Sequence, residues 1–146
     1  MNFSSNADWS FPIPIYYGPD RIKDLPSLCK LNNLSRPLVV TDRGSATLPF
    51  INNLLKDLNN SHIKCDLFSE ISPNPLDKEI NNGKLAFKNG SHDSVIAIGG
   101  GSGMDGGKAI SLIANNSQQL WEFDYDKPPI TKLSNFPPII CIPTTA

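Results

Sequence analysis

Residues 94–110 constrain this chain more than any other stretch. A short apolar run, Ser94-Val95-Ile96-Ala97-Ile98, reads as a buried strand. Gly99, Gly100 and Gly101 follow at once, and a helical pattern then runs over 102–115. A strand that turns through glycines into a helix start gathers several backbone N–H groups. The positive end of the helix dipole stands behind them, which makes an anion seat, most often for phosphate.

The remaining elements alternate around this unit. A β-branched run over 37–41 predicts a buried strand with Asp42 at its C-terminal end. Leu48, Ile51, Leu54, Leu55 and Leu58 mark one face of a helix closed by Asn59-Asn60. Residues 62–68 read as the next strand and Pro73-Asn74-Pro75 as a break. A helix over 77–89 follows, with Asp77 as its N-cap and Gly90 just past its end. Residues 118–135 suit a short helix and an irregular loop, and 138–142 suit a last strand before Thr144 and Thr145.

Earlier in the chain, 1–10 is expected to be a loose terminus. Residues 11–17, interrupted by prolines, suit an edge strand. Gly18-Pro19-Asp20 is a turn, and 21–31 carry a short helix limited by Pro26. The alternation predicts an α/β fold: a Rossmann-like, mostly parallel sheet with helices on both faces. In such sheets the ligand lies beyond the C-terminal ends of the strands. Asp42, the Gly99 turn, Thr144 and Thr145 all belong there.

Bulk properties exclude several classes. The length, 146 residues, is that of one ordinary domain, and 39% hydrophobic content argues against disorder. A formal charge of −1 provides no field that would recruit nucleic acid or acidic lipid. Three cysteines, odd in number and far apart, make neither a disulfide framework nor a zinc spacing. Residues 1–10 lack an apolar signal core, and no run is long and apolar enough to span a bilayer, so a cytoplasmic location is expected.

Each candidate site residue has two readings. Gly101-x-Gly103-x-x-Gly106 suits a pyrophosphate, but the same glycines permit close helix–strand packing. The Walker A pattern fails, because Ser102 stands six before Lys108 and Ala109 replaces the hydroxyl residue. Asp42 can accept from ribose hydroxyls and repel a 2′-phosphate, favouring NAD over NADP, or it can cap a turn. Arg43 beside it can help hold a 2′-phosphate, which leaves NADP open. Asp105 and Lys108 share a helix face as an ion pair or as groups orienting a ribose or nicotinamide. Thr144 and Thr145 offer two hydroxyls or a plain turn. His62 and His92 form no ligand cluster, and Trp121, Phe123 and Tyr125 are expected to cover the sheet.

Together these residues resemble the iron-containing (group III) alcohol dehydrogenases. The glycine-rich stretch over 93–110 resembles that family's signature. Tyr17-Gly18-Pro19-Asp20, Val40-Thr41-Asp42, Pro73-Asn74-Pro75 and Ile142-Pro143-Thr144-Thr145-Ala146 resemble further landmarks in order. The resemblance implies a dinucleotide-binding domain over 11–146, with the fold of a dehydroquinate synthase-like N-terminal domain. It implies that Gly100, Gly101 and Ser102 hold the pyrophosphate and that Asp42 meets the adenosine ribose. Asn74 would line the cofactor cleft, Thr144 and Thr145 would contact the cofactor, and Asp105 occupies a signature position.

The same resemblance implies NAD as cofactor and reversible hydride transfer on a small alcohol or aldehyde, in a homo-oligomer. It also implies a divalent metal, iron or zinc, held by one aspartate and three histidines of a helical C-terminal domain. That domain is absent here, so the chain is expected to be a truncated cofactor half, inactive alone. A non-catalytic nucleotide-binding module, and a glycerol dehydrogenase or dehydroquinate synthase relative, remain alternatives. Gly106-Gly107 departs from the small helix formers usual there and is expected to soften the helix by about 1 kcal/mol per glycine.

Overall fold

Residues 38–40 and 95–98 are buried without alternation, because both strands that carry them are covered on both faces. The computed structural model describes residues 7–9 and 12–145. Within them, β1 (Ala7–Trp9) and β2 (Ile15–Tyr17) form an antiparallel pair. A 3₁₀ turn at Arg21–Asp24 leads into α1 (Leu25–Leu31). Then follow β3 (Pro37–Asp42), α2 (Pro49–Asn60), β4 (Asp66–Ile71), α3 (Asp77–Asn89), β5 (Ser94–Gly99) and α4 (Gly101–Ile113). A 3₁₀ turn at Leu120–Phe123 and a long irregular stretch precede β6 (Ile139–Pro143).

The main sheet is parallel throughout, in the order β4-β3-β5-β6. Val39, Ile96 and Ile98 point to one face, where α1 and α2 pack Leu25, Cys29, Ile51, Leu54 and Leu58 against them. Leu38, Val40 and Val95 point to the other, against Ile80 and Phe87 of α3 and Ile110 and Ile113 of α4. The expected α/β sheet with helices on both faces is therefore present.

Several boundaries differ from the sequence pattern. Ala7–Trp9 lies in a paired strand rather than a loose terminus; the rest of 1–10, together with Phe11, falls outside the described residues. β2 pairs with β1 and stands outside the main sheet, so Ile15–Tyr17 edge that small ribbon and not the main sheet. The strand expected over 62–68 begins at Asp66. His62 has φ of 63° and ends the turn after α2, where the Ile63 N–H returns to the Leu58 carbonyl at 3.0 Å. Ile63 is buried under that turn, so its apolar character serves the helix end and not the strand.

Asp77 is the first residue of α3 and Leu76 its N-cap. The Leu76 N–H donates to Glu79 Oε2 at 3.1 Å, so Glu79 closes this helix end in place of a capping side chain. Gly90 does end α3, but its φ of −78° suits any residue. Its requirement is space, since a Cβ there would stand 2.2 Å from His92 Nε2. His92 is itself buried, with Nδ1 at 2.9 Å from the Arg36 carbonyl and Nε2 at 3.2 Å from Asp66, so it joins the starts of β3 and β4.

The Gly106-Gly107 pair is explained by the seat of α4 on the sheet. A Cβ on Gly107 would come within 2.4 Å of Ala97 Cβ and 3.2 Å of Ala97 Cα. One on Gly106 would meet Ile71 at 2.9 Å. The helix lies so close to β5 that the cost in propensity is offset by packing. Gly107→Ala gains about 1 kcal/mol of helix propensity but forces the helix off the sheet, an overpacking cost of about 1–3 kcal/mol. Chemical denaturation should show Gly107→Ala to be net destabilised by about 1 kcal/mol. Gly101→Ala, whose Cβ meets nothing within 4 Å, should be neutral.

Candidate functional site

The strand order creates a cleft at one end of the sheet. From β3 the chain passes through α2 to β4 on one side; from β5 it passes through α4 to β6 on the other. The connections leaving β3 and β5 thus diverge to opposite faces, which opens a crevice between the two strand ends. Asp42 ends β3 and Gly99 ends β5. A cavity of about 230 Å³ lies there, lined by Asp42, Arg43, Pro73, Gly100, Gly101 and Ser102 among others.

Backbone geometry fixes the turn into α4. Gly99 has φ of +144°, a conformation that side chains rarely adopt, and a Cβ on it would sit 3.1 Å from Asp42 Oδ2. On Gly103 a Cβ would meet the Ile98 carbonyl at 3.1 Å and the Asp42 nitrogen at 3.3 Å. The first turn of α4 is thereby pressed between the ends of β3 and β5. Gly100 is the N-cap, so the N–H groups of Gly101, Ser102 and Gly103 have no partner within the helix. Around Gly101 the space is open, towards the cavity that it lines.

Three other loops meet this turn. The Ser102 hydroxyl donates to the Pro73 carbonyl, tying the glycine turn to Pro73-Asn74-Pro75. The Thr144 N–H donates to the Gly99 carbonyl at 3.0 Å, and Thr145 Cγ2 lies 3.4 Å from where a Gly100 Cβ would stand. Asp42 accepts from Ser45 twice, from its N–H at 2.9 Å and its hydroxyl at 2.7 Å, and so caps the turn after β3. A carboxylate has about four acceptor sites, so this capping leaves it able to accept further hydrogen bonds.

Of the eight residues singled out from the sequence, six meet at this cleft: Asp42, Gly100, Gly101 and Ser102 in its lining, Thr144 and Thr145 against the glycine turn. Asn74 stands exposed at the rim, its carbonyl held by the Ser72 hydroxyl at 2.9 Å. Asp105 is not part of the cleft lining. It lies on the exposed face of α4, 3.6 Å from Lys108, as an ordinary surface ion pair of about 0–1 kcal/mol. His62 is exposed at the opposite end of the sheet. Trp121 and Tyr125 are exposed, and only Phe123 packs against the core, so the aromatic cover is one residue deep.

Two residues at this end had no assigned role in the sequence. Thr41 is fully buried in β3 behind the Gly99 turn, and its Oγ1 has no hydrogen-bond partner among the described residues. Glu79 joins the loops on the β4 side. Its Oε2 accepts from the Ser72 N–H at 3.1 Å, the Ser72 hydroxyl at 2.9 Å and the Leu76 N–H at 3.1 Å. Its Oε1 lies 3.0 Å from the Arg43 guanidinium. The available signal was the spacing Leu76-x-x-Glu79, an N3 glutamate at a helix start.

Burial alone would raise the Glu79 carboxyl. The hydrogen bonds from Leu76 and Ser72 and the charge of Arg43 outweigh it and hold the group at about 2. A carboxyl depressed in the folded state stabilises the fold fully above its unfolded value near 4.5, and that contribution disappears as pH falls towards 2. Glu79→Gln should be about 2 kcal/mol less stable at neutral pH, and the gap to the parent chain should narrow between pH 4.5 and 2. Thermal unfolding across that range measures it; a gap that stays constant with pH would show that the charge contributes nothing.

Among the described residues, no group of three or more His, Cys, Asp or Glu side chains stands together to hold a metal ion. None of their helices is long and apolar enough to cross a membrane. Cys29, Cys65 and Cys141 are all free, and burial pushes the Cys29 thiol up to about 11.

Comparison with known proteins agrees with this fold. The chain is 30% identical to the 1,3-propanediol dehydrogenase of Klebsiella pneumoniae over 142 residues, which are 95% of this chain and 36% of that protein. It is 26% identical to the NAD-dependent methanol dehydrogenase of Bacillus methanolicus over 133 residues, 88% of this chain and 33% of that one. The crystal structure of a 1,3-propanediol oxidoreductase superposes with a TM-score of 0.77 at 30% identity, over 88% of this chain and 33% of the other. The chain thus spans about a third of the length of the relatives it matches. The model of the iron-containing alcohol dehydrogenases matches residues 12–146, and with the parallel sheet and its glycine turn this places the chain in that family.

Proposed function

We propose that this chain binds NAD across the cleft between β3 and β5, as the nucleotide-binding part of an alcohol dehydrogenase. The observation that carries this is the start of α4, where unpaired N–H groups and an open Gly101 face the cavity within reach of Asp42. The pyrophosphate would sit against Gly100, Gly101 and Ser102, favoured by the helix dipole. Asp42 would accept from the adenosine ribose hydroxyls, Thr144 and Thr145 would close the β6 side, and Asn74 the rim. The cavity of about 230 Å³ is smaller than the roughly 300–1,000 Å³ that encloses a typical small ligand, so it takes part of a dinucleotide and not the whole.

When bound, NAD would accept or return a hydride at its nicotinamide ring, oxidising a small alcohol or reducing the matching aldehyde. The residues of this chain bind and orient the cofactor. Among the described residues no group of three or more His, Cys, Asp or Glu side chains stands together, which supports assigning them to the cofactor and not to the family's metal. We place that ion on residues outside these 146, and the homo-oligomer on the intact enzyme.

Fluorescence titration with NADH tests the reading. Gly101→Asp puts a carboxylate into open space at a helix N-terminus, where it is compatible with the fold. It should leave the melting temperature unchanged and weaken NADH at least tenfold, about 1.4 kcal/mol, by repelling the pyrophosphate. Absence of NADH binding at millimolar concentration, or binding indifferent to Gly101→Asp, would overturn the assignment.

A further inference from the structure

The cleft is lined by one acidic and one basic residue side by side, and the guanidinium of the basic one is held by a third residue at the start of α3. Asp42 and Arg43 are consecutive, and both line the cavity. Among its described lining residues Arg43 is the one cation. The Arg43 N–H donates to the Ile71 carbonyl at 3.0 Å, which fixes its backbone between the ends of β3 and β4. Its guanidinium turns to the start of α3 and meets Glu79 Oε1 at 3.0 Å. The side chain of Arg43 is 58% exposed and that of Glu79 only 8%, so the glutamate is the fixed partner and the arginine the movable one.

At the end of a strand in this position, an acid reads the ribose hydroxyls of NAD and a neighbouring arginine accommodates the 2′-phosphate of NADP. Here both residue types are present, and their effects on a 2′-phosphate oppose each other. We propose that Glu79 is a specificity-determining residue: by holding the Arg43 guanidinium at the N-terminus of α3, it withholds from the cleft the cation that would recognise a 2′-phosphate, and so favours NAD over NADP. The inference rests on the nucleotide reading above.

The rest of the Glu79 carboxylate is already committed. Oε2 takes three donors from Ser72 and Leu76, so the group cannot swing away with Arg43. Because the carboxyl is held at about 2, the tether keeps its charge at every pH at which the fold persists near neutrality. A 2′-phosphate must therefore draw Arg43 away from a fixed carboxylate and also face Asp42. Without the charge at Glu79, only the second obstacle remains.

Parallel titrations of the full chain with NADPH and NADH at one ionic strength test this. Glu79→Gln should raise the NADPH-to-NADH affinity ratio about fivefold, the scale of one freed charge near water. Arg43→Met alone should move the ratio less than twofold, because the cation is already withheld. In the double variant the gain of Glu79→Gln should vanish, a coupling that loop disorder alone does not produce. If both dinucleotides weaken in the same proportion in Glu79→Gln, or if the gain survives without Arg43, the proposal fails. If Arg43→Met by itself lowers NADPH affinity severalfold, Arg43 already reads the phosphate and the proposal fails, whether or not Glu79→Gln folds. A parent chain that binds NADH with the expected Gly101→Asp sensitivity, but whose ratio does not respond, loses this inference alone. Binding of neither dinucleotide removes the nucleotide reading and this one together.

Discussion

The close seat of α4 on the sheet governs the architecture of the functional end. Gly103 and Gly107 bring helix backbone against the carbonyl of Ile98, the nitrogen of Asp42 and the side chain of Ala97. A helix seated this deeply has its N-terminus between the ends of β3 and β5, at the point where the connections diverge. Its unpaired N–H groups then face a cavity instead of open solvent. Without the glycines the helix would stand off by the thickness of a methyl group, and the turn at Gly99 would lose its contact with Asp42. The packing requirement and the exposure of the helix N-terminus to the cavity are therefore one feature: the glycines that satisfy the first produce the second.

A polar network holds the other side of the cleft. Glu79 is buried at the start of α3 and collects donors from the β4 loop and a cation from the β3 loop. Ser102 adds a bond from the glycine turn to Pro73 in the same loop. Four separate segments, after β3, after β4, at the start of α3 and at the start of α4, are thus cross-linked by a few hydrogen bonds and one ion pair. A binding site built from loops needs such support, since loops packed only at their ends would open locally. The opposite end of the sheet is held by a different set, His92 with Arg36 and Asp66, and Asp93 with Ser35 and Arg36.

The chain matches about a third of the relatives' length, and that third carries the parallel sheet and the glycine turn into α4. Its described residues bring together a helix start with unpaired N–H groups, the Asp42 carboxylate and two threonine hydroxyls, and among them no group of three or more His, Cys, Asp or Glu side chains stands together. These groups support the proposed nucleotide-binding role.

By itself the sequence determined the fold class and most of the cleft. Unbroken apolar runs at 37–41 and 94–98 require burial on both faces, which a parallel sheet between helices provides. Three glycines after the second run require a turn without side chains. Those signals are local, so they were legible. What tertiary structure decided were matters of distance between segments remote in sequence. It turned Gly106-Gly107 from an apparent weakness of the helix into its contact with the sheet. It also paired Asp105, at a signature position, with Lys108 on the exposed surface of α4, outside the lining of the cavity between β3 and β5. The start of β4 moved to Asp66, because Ile63 is taken by the end of α2. Finally, it showed Arg43 tied to a glutamate thirty-six residues onward, a pairing no local pattern encodes, since an ion pair depends on separation in space and not along the chain.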